Sequence, residues 1–176
     1  MVTIRERIAA DDDAIRRLND AAFGGPAESR LIADLRAAGL AVIELIASQH
    51  GEPVGHILFS KLSVAADGRA VDALALAPMA ARPQSQRLGV GGKLVRAGLD
   101  RARQGASQAV IVLGHPTFYP RFGFSAERAR HLRAPFRGDA FMALELVPGA
   151  LDGTEVTVAY PPPFGITPQP GPASAA

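Results

Sequence analysis

Met79-Ala-Ala-Arg-Pro-Gln-Ser-Gln-Arg-Leu-Gly-Val-Gly-Gly-Lys-Leu-Val95 joins the end of one regular element to the start of the next. It leaves an apolar run, turns through Pro83, passes a basic, glycine-containing loop and enters a segment with helical spacing. Strand, loop and helix start, in that order, describe an anion site. The N–H groups of a helix's first turn have no intrahelical partners, and the helix dipole favours negative charge there. Glycines let the backbone approach the anion closely, and Arg87 adds a fixed positive charge.

Two nucleotide motifs fail on this stretch. A Walker A loop needs glycine five residues before the Gly-Lys pair, where Arg87 stands, and Ser or Thr at the position held by Leu94. A dinucleotide fingerprint running from Gly89 and Gly91 needs glycine or alanine at the same Leu94. Taken alone, the two glycines also fit a plain strand-to-helix turn.

Working outward, Val2 to Ile8 alternates as a first strand. Asp11, Asp12 and Asp13 read as the solvated start of a helix carrying Ile15, Leu18, Ala22 and Phe23. Gly24-Gly-Pro26 breaks it, Glu28 opens a second helix with Leu31, Ile32 and Leu35, and Gly39 caps its end. Leu40 to Ser48 and Val54 to Val64 form a strand hairpin, and Val71 to Met79 is a fourth strand after the Asp67-Gly68 turn. Pro78 lacks a ladder donor, so a bulge or strand end is expected beside it. Val90 to about Gln104 is a helix. Ala109 to Leu113 is apolar without alternation, as a central strand covered on both faces would be. Phe141 to Val147 and Glu155 to Val158 are the last strands. The order implies a mixed α/β or α+β sheet with helices on its faces.

The chain has 176 residues, 48% hydrophobic and 20% charged, which suits one domain with a full core. That domain spans 1–160. Residues 161–176 hold six prolines and no charge, and read as an extended, partly disordered tail. Without cysteine there are no disulfides, no thiolate zinc site and no cysteine nucleophile. The N-terminus is too charged for a signal peptide, and no run reaches the roughly 18 apolar residues of a membrane helix, so a cytoplasmic protein is expected. A net charge of +2 without a Lys/Arg run gives no sign of nucleic-acid binding.

Gln86-x-x-Gly89-x-Gly91 resembles the acetyl-CoA pyrophosphate loop of the GCN5-related N-acetyltransferase (GNAT) superfamily. Met79-Ala-Ala-Arg-Pro83 is similar to the end of that family's fourth strand, and Tyr119-x-Arg-x-Gly-Phe124 to its Tyr-x-Lys-x-Gly-Phe motif after strand five. Val112 to Phe124, Ala75 to Pro78 and Ala140 to Leu144 resemble the YhbS-like branch of predicted N-acetyltransferases. The likeness covers about residues 2–160. It implies a mostly antiparallel sheet with a splayed parallel pair of strands four and five. The family's lysine is Arg121 here, and its strand-four valine is Ala81.

The resemblance also implies a chemistry: acetyl transfer from acetyl-CoA directly to an amine of a small molecule or protein. Met79, Ala80 and Ala81 would line the pantetheine arm, and Arg87, Leu88, Gly89, Val90, Gly91 and Gly92 the pyrophosphate. Tyr119 is the candidate acid for the leaving thiolate. Its alternative reading is a core tyrosine with a satisfied hydroxyl. Glu28 and His115 are substrate-side candidates, against ordinary roles as a first-turn carboxylate and a loop histidine. Phe23, Phe118 and Phe136 are further side chains the acceptor pocket could use. No metal ligand set is read. A homodimer is open, and the alternative class is a non-catalytic acyl-CoA-binding or sensor protein on the same fold.

Overall fold

The computed structural model describes residues 1–166. Val2 and Ile4 face inward from β1 (Val2–Glu6), which pairs antiparallel with β2 (Ala41–Gln49). Between them lie α1 (Asp12–Phe23) and α2 (Ala27–Ala37). β2 turns into the long β3 (Glu52–Ala66), and β3 into β4 (Arg69–Ala81), both pairs antiparallel. A crossover through α3 (Val90–Gln104) brings β5 (Ala109–Leu113) parallel to β4. After the short α4 (Ala126–Ala129), β6 (Phe141–Glu145) pairs antiparallel with β5. β7 (Val156–Ala159) returns to pair with the C-terminal half of β3. The sheet is thus seven-stranded, with β4–β5 its parallel pair.

α3 covers one face. Leu94, Val95, Leu99 and Ala102 repeat at helical spacing and pack on Leu45, Ile57, Phe59, Leu74 and Val110. Fully burying side chains of this size stabilises the fold by about 1.5–3 kcal/mol each. Gly98 makes room for Phe59 in this stripe, because a Cβ there would lie 2.2 Å from Phe59 Cε2 and force the ring to shift. α1 and α2 cover the other face, with Ile15, Ile32 and Leu35 on Ile46 and Leu58. β5 is buried between the two sides: Val110 and Val112 join the α3 cluster, Ala109 and Ile111 the opposite one.

The expected bulge at Pro78 is present. Ile57 pairs with Met79 and Phe59 with Leu76, so Ala77 and Pro78 together oppose Leu58. The Ala77–Pro78 peptide is cis. Pairing between β4 and β5 ends at Leu76 and Val112, while β4 runs on to Ala81. This is the splay expected between strands four and five.

Two expectations change. Asp11 is not solvated: it is buried, accepts both Arg5 guanidinium bonds (2.7 and 2.8 Å), and accepts the Ile8 N–H (2.8 Å). β6 stops at Glu145, because the N–H groups of Leu146 and Val147 both turn to the Gln108 carbonyl. The described residues run a few positions past 160. Pro162–Phe164 form a 3₁₀ turn, and Phe164 packs edge-on to Tyr160 at 5.1 Å and against the clusters on the α1–α2 face. The remainder of the proline-rich segment lies outside the described residues.

A polar chain is buried under α1. Asn19 Nδ2 donates to the Ile15 carbonyl (2.9 Å) and reaches His56 Nδ1 (3.3 Å), so Nδ1 accepts and Nε2 donates to Glu44 (2.8 Å). Arg36 also donates to Glu44 and pairs with Asp12 at 3.2 Å. Burial alone would raise the Glu44 carboxyl, but the hydrogen bonds from His56 and Arg36 prevail and bring it down to about 2. Among the described residues no helix is long and apolar enough to cross a membrane.

Candidate active site

Pro83–Leu88 wind as a 3₁₀ segment, and Gly89 takes a left-handed conformation (φ 73°) as the N-cap of α3. Among the described residues no side chain caps this end, and its first turn holds no acidic residue. The helix ladder begins with Lys93 N–H to the Gly89 carbonyl at 3.0 Å. The N–H groups of Val90, Gly91 and Gly92 are therefore the unpaired first-turn donors. Arg87 and Leu88 are exposed beside them, whereas the Val90 side chain is fully buried, leaving Val90 its backbone as the group to offer.

The edge of β4 faces the same region. Arg82 N–H bonds the Val54 carbonyl (2.9 Å), which makes Arg82–Val54 and Ala80–His56 the hydrogen-bonding pairs of the antiparallel ladder. Met79 and Ala81, between them, turn their N–H and C=O groups away from β3 toward the side β5 has left. Gln86 Nε2 ties the loop to this edge by donating to the Ala81 carbonyl at 3.3 Å. Ala80 differs from its neighbours: its backbone groups face β3 and its side chain is buried.

Beyond β5, Gly114 N–H bonds the Ala140 carbonyl (2.9 Å), and the His115 carbonyl accepts the N–H groups of Phe118 (3.1 Å) and Tyr119 (3.4 Å). This turn lays the Tyr119 ring on Gly114, where a Cβ would stand 2.3 Å from Tyr119 Cε2. Tyr119 is 6% exposed, and burial pushes its hydroxyl pKa up to about 12. Phe118 stacks edge-on with Tyr119 (5.0 Å) and Phe122 (5.2 Å). A Cβ on Gly91 would lie 3.4 Å from Phe118 Cζ and 3.5 Å from Met79 Cε. The strand end, the helix start and the aromatic turn therefore meet in one place.

Not every candidate joins them. Phe118 does, packing on the helix start at Gly91. The His115 side chain is exposed, and its carbonyl holds the turn to Tyr119. Glu28 is half-buried in the first turn of α2. Phe23 is 46% exposed at the end of α1. Phe136 lines a cavity of about 910 Å³ on the sheet face opposite α3, formed by the 129–141 segment and β7. Sequence reasoning missed this cavity and the buried His56–Glu44 pair. Glu44 inside an apolar strand was the one signal for the latter.

A helix start with N–H groups lacking an intrahelical partner, a strand edge that β5 has left and the Tyr119 turn thus lie together on a splayed sheet. Residues 3–126 match the Acetyltransferase (GNAT) domain, and the chain belongs to that family. Among its relatives is YhbS of Escherichia coli strain K12, named an uncharacterized N-acetyltransferase. The two are 32% identical over 160 residues, 89% of this chain and 95% of YhbS. The uncharacterized N-acetyltransferase YjhQ of the same strain is 39% identical over 117 residues, 65% of each chain. The crystal structure of E. coli YhbS in complex with CoA superposes with a TM-score of 0.84 at 31% identity, covering 93% of this chain and 92% of that one. A GNAT acetyltransferase from Brucella melitensis in complex with acetyl-CoA gives 0.77 at 30% identity, covering 93% and 98%.

Proposed function

We propose that the protein is an acetyl-CoA-dependent N-acetyltransferase that moves the acetyl group directly to an amine in a ternary complex. The observation that carries the reading is the meeting of the free N–H groups at Val90–Gly92, the outward-facing edge at Met79 and Ala81, and the Tyr119 ring. The relatives crystallised with CoA and acetyl-CoA support the same ligand here.

Each group has a task in this reading. The α3 start and Arg87 hold the pyrophosphate by dipole, N–H donors and charge. The Met79 and Ala81 backbone groups pair with the amide arm of the pantetheine, and an N–H of this edge meets the oxyanion as the amine nitrogen bonds to the thioester carbon. When the carbon–sulfur bond breaks, Tyr119 gives its proton to the departing thiolate and regains one from solvent. A hydroxyl pushed up to about 12 keeps that proton at neutral pH. The amine gives up its own proton to water or a base. With no cysteine in the chain, an acyl-cysteine relay has no nucleophile.

Thiol release from acetyl-CoA, followed over an amine library with the wild type and Tyr119→Phe, tests the reading. Amine-dependent release that falls in the variant is expected. Saturable acetyl-CoA binding without release for any amine favours the sensor reading.

A further inference from the structure

The large cavity carries a chemistry of its own. Its floor and walls include Phe136, Phe141 and Tyr160, with Phe136 edge-on to Tyr160 at 5.4 Å and tilted to Phe141 at 6.2 Å. Arg130, Arg133 and Arg137 also line it, against Asp139 as the one carboxylate on the wall among the described residues. Arg133 is engaged, donating to Glu155 at 2.7 Å. Among the described residues Arg130 and Arg137 make no side-chain hydrogen bond or ion pair, and both are exposed. At about 910 Å³ the space matches that of small-molecule sites, which pair apolar walls with a few placed polar groups.

Its position relates it to the transfer site. Phe141 is the register partner of Leu113, the last residue of β5, and Gly114 N–H is held by Ala140. The cavity thus abuts the strand end that bounds the splay. It lies on the face opposite α3, since Phe141 clusters with Ala109 and Ile111 while α3 packs over Val110 and Val112. A cofactor anchored at the α3 start and threaded through the splay would present its acyl end toward this face.

We infer that this cavity receives the acceptor, and that the acceptor is an amine joined through an aromatic ring to an anionic group, a carboxylate or a phosphate-type anion. The inference rests on the acyl-transfer reading above. The planar guanidinium forks of Arg130 and Arg137 take the anion, and the aromatic walls take the ring. The amine is left pointing to the splay.

The test compares 4-(aminomethyl)benzoate and 4-(aminomethyl)phenylphosphonate with the neutral 4-(aminomethyl)benzamide. Binding of each to the CoA-saturated protein is measured by calorimetry, for wild type and for Arg130→Ala/Arg137→Ala. Both arginines are exposed, so the double variant keeps the fold. At least one anionic probe should bind about tenfold or more tightly than the amide, as expected for a charge-assisted hydrogen bond, and the preference should vanish in the double variant. The two anionic arms separate a carboxylate acceptor from a phosphate-type one. Equal affinities, no binding of any probe, or a preference that survives the double substitution overturns the inference. Acetyl-CoA titrated alone reports separately on the acyl-transfer reading: if it binds while the probes show no preference, the acceptor assignment alone fails.

Discussion

The ring of Tyr119 occupies the place where a side chain on Gly114 would begin, 2.3 Å from an idealised Cβ. Position 114 thus sets where the hydroxyl stands. Gly114→Ala must push the ring off its seat, and overpacking of this kind costs about 1–3 kcal/mol of stability. Turnover should fall at least about tenfold while acetyl-CoA affinity changes little, because the α3 start and the β4 edge are untouched. Thermal unfolding and steady-state kinetics on the variant check both halves.

Tyr119→Phe keeps the packing on Gly114, Phe118 and Phe124 and removes the proton. A positioned acid is worth about 10²–10⁴-fold, so kcat should drop into that range with KM for acetyl-CoA unchanged. The wild-type pH profile carries a second signature. A tyrosine of ordinary pKa would lose its proton around pH 10, whereas one pushed up to about 12 keeps it. The alkaline limb of kcat should therefore stay flat past about pH 10. A fall centred near that value would assign the limb to another group.

Glu44 links the buried polar chain to acid stability. Its folded pKa, about 2, lies below the ordinary carboxylate value of 4.5. The unfolded chain thus binds more protons in this range. The stabilisation is complete above about pH 4.5 and is lost as pH falls from there toward 2, on the order of 3 kcal/mol in all. Glu44→Gln should be less stable than wild type at neutral pH, with the gap closing toward about pH 3. Urea unfolding at a series of pH values measures it, and a gap that stays constant with pH would place the stabilisation elsewhere.

The order and type of the elements were legible because each carries a local signal. Alternation marked β1, helical spacing marked α3, the unbroken apolar run marked β5, and the missing ladder donor of Pro78 marked the bulge. The loop and helix start after β4 were legible for the same reason, since Gln86, Gly89 and Gly91 are close in sequence. What stayed hidden depends on distant chain segments. Glu44 and His56 sit on different strands, and Asn19 joins them from a helix. β7 reads as a strand, but its pairing with β3 is a matter of chain path. The cavity is walled by the irregular 130–140 segment, where no periodicity says which way Arg130, Phe136 or Arg137 point.

Arg87 and Gly91 flank the N-cap of α3 at the proposed cofactor end of the site. Arg87→Ala removes a charge beside the α3 start and should raise KM for acetyl-CoA about tenfold, the scale of one charge-assisted hydrogen bond. Initial rates at varied acetyl-CoA measure it, with kcat expected to hold.

Gly91→Glu is the more severe change. It sets a side chain against Phe118 Cζ and Met79 Cε and a negative charge where an anion must sit. Calorimetric titration of acetyl-CoA into wild type and this variant reads cofactor binding at this helix start. Saturable one-to-one binding by the wild type, with at least about a hundredfold loss in a Gly91→Glu protein that retains its fold by circular dichroism, is the predicted result. Wild-type protein that does not bind acetyl-CoA, or a variant that binds it equally well, would contradict the placement of the cofactor at this helix start.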